Sequence, residues 1–248
     1  MLIFYFSGTG NSKYIAQLFA QNMNCACCSI EQHAQFDMLI KSAETIAFCY
    51  PVYFSRVPRI MREFVQKYMS SFENKKLIIF CTQHMFSGDG ARAFYALFPK
   101  NYLRVIYAEH FFMPSNVTPV TTDDKKIKSY IKKAAPKMQK VCDNIKSGRS
   151  YKRGFNIASR ALGLIQAPLL APAERKACRD IKITHDCTLC GICVSSCPMQ
   201  NLKIESGAVA HKNNCTVCYR CINKCPQKAI NFFSARIKKQ YYFKEELK

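Results

Sequence analysis

Two stretches towards the end of the chain repeat one spacing of cysteines. Residues 187–198 read C-T-L-C-G-I-C-V-S-S-C-P, and residues 215–226 read C-T-V-C-Y-R-C-I-N-K-C-P. Each is C-x-x-C-x-x-C-x-x-x-C-P, so eight of the fifteen cysteines sit in two tight repeats. Thiolates at this spacing can wrap a loop around one polynuclear centre, with the loop N–H groups turned towards the sulfurs. The fourth cysteine is expected to open a short helix. Pro198 and Pro226 follow it, where the chain is barred from continuing in the same conformation. Zinc is the competing occupant. It takes four ligands, usually as two C-x-x-C pairs or Cys/His mixtures, and that arithmetic does not generate two complete runs with trailing prolines.

The runs resemble those of bacterial two-cluster ferredoxins, over about residues 183–233, a family in which the fourth cysteine ligates the other cluster. The resemblance implies one 4Fe–4S cluster on Cys187, Cys190, Cys193 and Cys225. It implies a second on Cys215, Cys218, Cys221 and Cys197. It also implies a small α+β domain with pseudo-twofold symmetry, since each half lends a ligand to the other, and a protein that moves electrons. The opening Met1 to Phe6 is apolar, has no basic lead and turns polar at Ser7. It reads as a first strand, not an export signal. Many thiols without such a signal fit a reducing, cytoplasmic setting better than a disulfide framework. No run of about 18 or more apolar residues occurs, so no membrane span is expected.

Leu2 to Phe6 is followed at once by Ser7, Gly8, Thr9, Gly10, Asn11 and Ser12. Tyr14, Ile15, Leu18 and Phe19 then recur at helical spacing. The order is strand, hydroxyl- and glycine-rich loop, helix, and the N–H groups at such a helix start can hold a phosphate. The loop is not a Walker loop, because no Gly-Lys-Ser/Thr ends it, and it is not G-x-G-x-x-G. A plain strand-to-helix turn is the simpler alternative. A strand over 45–50 then ends at Pro51, Val52, Tyr53 and Phe54. Pro58 opens a helix through Ile60, Met61, Phe64 and Val65. A strand over 76–81 runs into residues 82–90, and a helix follows through Phe94 and Leu97. A strand over 103–112 precedes a long helix over about 123–147. Such alternation implies a parallel sheet with helices on both faces. Ligands of these sheets sit at the carboxyl ends of strands, where the loops at 7–12, 51–56 and 82–90 can share one site.

The first loop matches T/S-x-T-G-x-S/T, the FMN phosphate loop of flavodoxins, and residues 1–148 resemble a flavodoxin-like domain. The whole chain resembles the flavodoxin–ferredoxin fusion proteins. The implied fold is a doubly wound α/β sheet over 1–148, a basic connector over 149–182, and a small α+β ferredoxin domain with a basic tail over 183–248. Carried over by position, Ser7, Gly8, Thr9, Gly10, Asn11 and Ser12 hold the FMN phosphate. Pro51, Val52, Tyr53 and Phe54 border the ring, as do Thr82, Gln83, His84, Phe86, Gly88, Asp89 and Gly90, with Tyr53 or Phe86 stacking on it. Two departures stand out. Flavodoxins usually carry a Gly with a flippable peptide after strand three, and residues 51–56 have none. Flavodoxins are also typically acidic, whereas this chain carries +21.

That charge is uneven. Residues 1–120 hold 11 basic and 7 acidic side chains, residues 121–186 hold 16 and 6, and residues 187–248 hold 10 and 3. A field of this sign steers acidic partners and invites nucleic acid or anionic lipid. The basic residues lack the interleaved aromatics of a stacking platform, so nucleic acid is not expected. The helix with Lys125, Lys126, Lys128, Lys132, Lys133, Lys137 and Lys140 could be a docking face, although most such runs are solvated surfaces. Cys25, Cys27 and Cys28 resemble a metal clip but read better as core of a second strand, as do Cys49 and Cys81 in central strands. Cys178 stands outside both runs. His84 could face a flavin and relay a proton, or face solvent. Asp89, between two glycines, reads as a turn residue. The function expected is electron transfer between two 4Fe–4S clusters and FMN, with an acidic redox protein as partner and no classical acid/base pair or nucleophile. The alternative is an FMN-dependent reductase of a small acceptor, a quinone or nitro compound, with the clusters as electron entry.

Overall fold

The computed structural model describes residues 1–32, 35–85, 88–117, 123–231 and 239–243. The first half alternates strands and helices: β1 (Leu2–Tyr5), α1 (Asn11–Met23), β2 (Ala26–Ser29), α2 (Phe36–Ser42), β3 (Thr45–Pro51), α3 (Arg59–Lys67), β4 (Lys76–Gln83), α4 (Gly90–Tyr95), β5 (Arg104–Phe112) and α5 (Asp124–Lys146). A two-residue strand, β6 (Tyr151–Lys152), pairs with β5. The sheet order is β2-β1-β3-β4-β5-β6, and every neighbouring pair is parallel. The sheet thus continues into the segment read as a connector.

The central strands are buried on both faces, which is why they read as continuous apolar runs rather than alternating ones. Phe4, Phe48 and Tyr50 pack on one side with Phe36, Phe64, Phe72 and Phe94. Ile3, Ala47, Cys49 and Phe80 face the other side with Phe19 of α1 and Met138 of α5. The edge strand β2 and the residue before it divide their thiols in the same way. Cys28 packs towards the first core, whereas Cys25 and Cys27 pack towards the second, so the three form no clip. Burial pushes the Cys27 thiol up to about 11. On α5, Lys125, Lys126, Lys128, Lys132, Lys133 and Lys140 are exposed; Lys137 instead turns inward to the Glu109 carboxylate at 3.1 Å.

Two helices follow the sheet, α6 (Ile157–Gln166) and α7 (Leu170–Arg179). The cysteine-rich part is then built from β7 (Lys182–Ile183), α8 (Ile192–Ser195), β8 (Leu202–Glu205), β9 (Ala208–His211), α9 (Arg220–Lys224) and β10 (Ile230–Asn231). β8 pairs with β9 and β10 with β7, both antiparallel, around a small core of Ile181, Leu202, Val209, Ile222 and Ile230. One sequence expectation is corrected here. The short helices do not begin at the fourth cysteine of each run; α8 and α9 contain the third, Cys193 and Cys221, and end before the fourth. Pro198 and Pro226 instead take the second position of a turn that starts at the fourth cysteine, closed by Gln200 N–H to Cys197 O and Lys228 N–H to Cys225 O at 3.1 Å each. Among the described residues, no helix is long and apolar enough to cross a membrane.

Candidate flavin and iron–sulfur site

The cysteine runs fold as a true internal repeat. Leu189, Gly191 and Gln200 have φ of 55°, 74° and 49°, and Val217, Tyr219 and Lys228 have 59°, 58° and 51°. Each pair is offset as Cys187 is from Cys215. These left-handed positions turn successive N–H groups to one side of the loop, the arrangement that forms anion-binding concavities. Val217 N–H donates to Cys215 Sγ at 3.3 Å. Asn201 donates to Cys197 Sγ at 3.2 Å and its repeat partner Ala229 to Cys225 Sγ at 3.3 Å. Left-handed backbone is free for Gly191 but costs Tyr219 about 1–2 kcal/mol, which the surrounding contacts must offset.

The crossed grouping of thiols is visible in space. Cys187, Cys190, Cys193 and Cys225 line one cavity with Ile183, Val209 and Ile230. Burial, then Cys187 and Cys225, push the Cys193 thiol up. Burial, then Cys218, Cys215 and Cys197, push the Cys221 thiol up. The fourth cysteine of each run thus lies with the first three of the other. Buried thiols of this kind are deprotonated by a metal that takes them as ligands. Among the described residues, no His, Cys, Asp or Glu side chains are grouped to hold a single metal ion. A cubane does not ask for that, because each of its irons takes one thiolate.

At the other centre, α1 starts from Gly10 at φ 99° with no side-chain cap, so its first-turn N–H groups lack intrahelical partners. Ser7 Oγ accepts from Gly10 N–H at 3.0 Å, and the Ser12 and Thr82 hydroxyls meet at 2.7 Å, tying the first loop to the end of β4. Thr9 is buried. Asn11 donates to Pro114 O and accepts from the Tyr241 hydroxyl. After β3, Tyr53 and Arg56 exchange backbone hydrogen bonds of 3.0 and 2.9 Å across Phe54 and Ser55. Those two residues have φ of 49° and 60°, so the loop adopts a strained turn that normally asks for Gly or Asn. The missing glycine noted in the sequence therefore did not spare the loop a left-handed backbone.

Among the described residues, three side-chain atoms on the two loops expected to border a ring are buried without a hydrogen-bond partner: Tyr53 OH, Gln83 Oε1 and His84 Nδ1. Burying such groups unpaired costs about 1–3 kcal/mol each, and a polar ligand edge would relieve it. His84 is half-buried and meets Tyr130 edge-on at 6.0 Å, so it is not a plain solvent-facing side chain. Pro51 and Val52 are half-buried and Phe54 is exposed. Phe86, the other stacking candidate, lies outside the described residues. Asp89 departs from the reading as a simple turn residue. It is fully buried, with Arg56 at 2.7 Å on one carboxylate oxygen and Arg92 at 2.5 Å on the other.

The cysteine domain sits directly on the first loop. A Cβ at Gly8 would stand 2.3 Å from the Cys218 carbonyl oxygen, and one at Gly10 would stand 2.5 Å from Phe243 Cβ. Arg220 donates to the carbonyls of Ser7 at 2.7 Å and Gly8 at 3.2 Å, and forks onto Glu31 with two contacts of 2.6 Å. Burial opposes the Arg220 charge, and Glu31 more than offsets that, so the guanidinium is held still more firmly protonated. Phe243 N–H donates to Thr9 O at 2.7 Å, and its ring stacks on Tyr14 at 4.5 Å. These contacts take the loop's carbonyls rather than its N–H groups. The loop, the uncapped helix start and the unpartnered atoms are compatible with a phosphorylated flavin, whose phosphate Ser7–Ser12 would hold and whose ring Tyr53, Gln83 and His84 would border.

A family model described as a flavodoxin domain matches residues 2–120, and one described as a 4Fe-4S dicluster domain matches residues 186–230. The chain is a flavodoxin–ferredoxin fusion protein. Among solved structures, the fusion is similar to a flavodoxin, WrbA-like protein from Agrobacterium tumefaciens, at 13% identity and TM-score 0.42, covering 60% of this chain and 98% of that one. It is similar to a protein from P. pentosaceus titled NADPH-quinone reductase, at 14% identity and TM-score 0.42, covering 58% and 95%. A third is general stress protein 14 from Treponema denticola, solved in complex with FMN, at 10% identity and TM-score 0.41, covering 58% and 97%. No curated protein matches the fusion.

Sequence reasoning missed the clasp between the domains of the fusion. One signal was available. Arg220 occupies the position that Ile192 holds in the first run, so the repeat is broken by a cation inside a cluster loop. Glu31 and Gly163, which meet their partners only through the tertiary fold, left no comparable trace.

Proposed function

We propose that the fusion is an intramolecular electron carrier, with two 4Fe–4S clusters exchanging electrons with FMN in the same chain. The first cluster takes Cys187, Cys190, Cys193 and Cys225, and the second takes Cys215, Cys218, Cys221 and Cys197. The observation that carries the reading is the seat of the second run on the phosphate loop, with Cys218 O against Gly8 and Arg220 bonded to Ser7 and Gly8. Tyr53 extends the same contact; its hydroxyl is buried, with Cys218 and Tyr219 among the groups acting on it. FMN, when bound, supplies a centre able to take one or two electrons, and the clusters take one each. The protein's part is to hold these centres close and exclude water. The second run covers the phosphate loop and α6 packs at Asp89, both of which favour electron passage over an open pocket for a small substrate. A reducing cytoplasm and an acidic protein as external partner complete the reading.

The test is stopped-flow reduction of the clusters while flavin absorbance is followed. Equilibration between the centres should be first order and independent of protein concentration. Second-order equilibration, driven only by collisions between chains, would make the two domains separate ports and end the proposal.

A further inference from the structure

Helix α6 is built inside out. A surface helix normally turns its apolar side chains to the core and its polar ones to water. At 3.6 residues per turn, Ile157, Ala161, Leu164 and Ile165 fall on one side of α6, and that side faces solvent. Ile157 is 87% exposed, Leu164 57% and Ile165 72%; the strip continues through Pro168 to Leu169 at 52%. The opposite side holds Ser159, Gly163 and Gln166. Gly163 packs so closely on Asp89 that a Cβ would stand 1.7 Å from a carboxylate oxygen, its carbonyl accepts from Arg56, and Gln166 accepts from the Ser55 hydroxyl. The helix is therefore fixed by polar contacts, and its apolar face is left without a cover. Among the described residues, α6 carries three of the large apolar side chains most exposed to water, and Leu169 beyond it adds a fourth.

Arg160, exposed on α6 one turn before Leu164, sets a cation at the rim of this strip, and Arg175 and Arg179 are exposed on α7, the next helix, all within the segment that holds 16 basic and 6 acidic residues. We infer that the α6 strip and its basic rim form a peripheral docking surface for an anionic lipid bilayer, with the apolar side chains dipping into the interface and the cations at the headgroups. Helices that lie in a bilayer interface carry this division, with long aliphatics on one face and Lys/Arg beside them. A second copy of the chain is disfavoured, because a twofold interface would set the same cations against each other. A protein partner would need to offer both acid and a groove for protruding aliphatics, whereas an anionic bilayer offers both everywhere on its surface. The inference is independent of the electron-transfer reading.

Vesicle sedimentation with the full, cluster-loaded chain tests it. The protein should pellet with vesicles of phosphatidylcholine containing about a third phosphatidylglycerol, and far less with phosphatidylcholine alone. The double substitution Leu164→Ser/Ile165→Ser leaves the charge unchanged and should weaken binding at least about tenfold. Arg160→Gln should weaken it about fivefold. All three positions are exposed, so an unchanged urea midpoint certifies the fold. Binding that the Leu164/Ile165 variant retains would reduce the effect to adsorption by net charge and overturn the inference. Failure to bind anionic vesicles would overturn it too. So would a concentration-dependent dimer, or capture of an acidic protein, that the variant loses while vesicle binding is absent.

Discussion

The clasp at Arg220 makes the sharpest prediction. Its guanidinium meets two oxygens of Glu31 and the carbonyls of Ser7, Gly8 and Ser196, with side-chain exposures of 11% for Arg220 and 23% for Glu31. Removing one partner of a fully buried pair costs about 3–5 kcal/mol, because the other is left uncompensated. The residual exposure of Glu31 places Arg220→Met near the lower end, about 3 kcal/mol, roughly two orders of magnitude in the ratio of docked to undocked domains. Glu31→Gln, which lies outside both cysteine runs, should cost less, because Arg220 keeps three carbonyl acceptors. The double variant should cost less than the two singles together, with a coupling of about 2 kcal/mol. Hydrogen exchange at residues 7–12 and urea unfolding read the docking, and stopped-flow equilibration of flavin and clusters reads its consequence. Iron content must first be shown unchanged, since Arg220 lies between Cys218 and Cys221. Additivity within about 0.5 kcal/mol would mean that the pair does not hold the domains together.

Anaerobically prepared protein should contain about eight iron and eight sulfide per chain, by chemical analysis; a folded zinc form without cluster absorption after reconstitution would exclude the cluster assignment. Replacing Thr9 or Ser12 with leucine should weaken FMN far more than riboflavin in fluorescence titrations, by about 1.5–3 kcal/mol per lost charge-assisted bond, and equal losses would place the phosphate elsewhere. His110 is held down to about 3 by burial and by Arg153 and Lys137. Its folded value lies below its unfolded one, so the unfolded chain binds the extra proton and stability falls as pH drops below about 6.5. Between pH 7.5 and 5.5 the loss should be about 1 kcal/mol in urea unfolding and should largely vanish in His110→Leu.

Much of this was legible before any coordinates, and the pattern of what was not is physical. Strands β1, β3 and β4 announced themselves because a sheet buried on both faces needs uninterrupted apolar runs, and Leu2–Phe6, Thr45–Tyr50 and Lys76–Cys81 supply them. The first three cysteines of each run were legible together because their spacing is local and repeats, whereas the crossed fourth was implied only by the resemblance to two-cluster ferredoxins. β6 was not, since two residues carry no period. The short helices of the cysteine domain were placed one ligand too late, because four or five residues give no helical signature and the trailing proline pointed past them. Asp89 looked like a turn residue because, beyond its i+3 neighbour Arg92, its burial depends on Arg56 and Gly163, two residues brought to it only by the tertiary fold.

The glycines of the first loop show how two demands meet in one segment. In a free flavodoxin-like domain, a glycine there lets the backbone approach a phosphate. In this chain Gly8 and Gly10 also let a second domain approach from the carbonyl side, at distances no side chain would permit. Peptide geometry separates the two uses, because the N–H and C=O of one peptide point in opposite directions. The ferredoxin domain draws on the carbonyls of Ser7, Gly8 and Thr9. The N–H groups at the start of α1 stay available to an anion. A substituent at Gly8 would therefore act first on domain docking, and a substituent on the Ser12 side chain would act first on the flavin. The same few residues can then hold one cofactor and receive the other without competition.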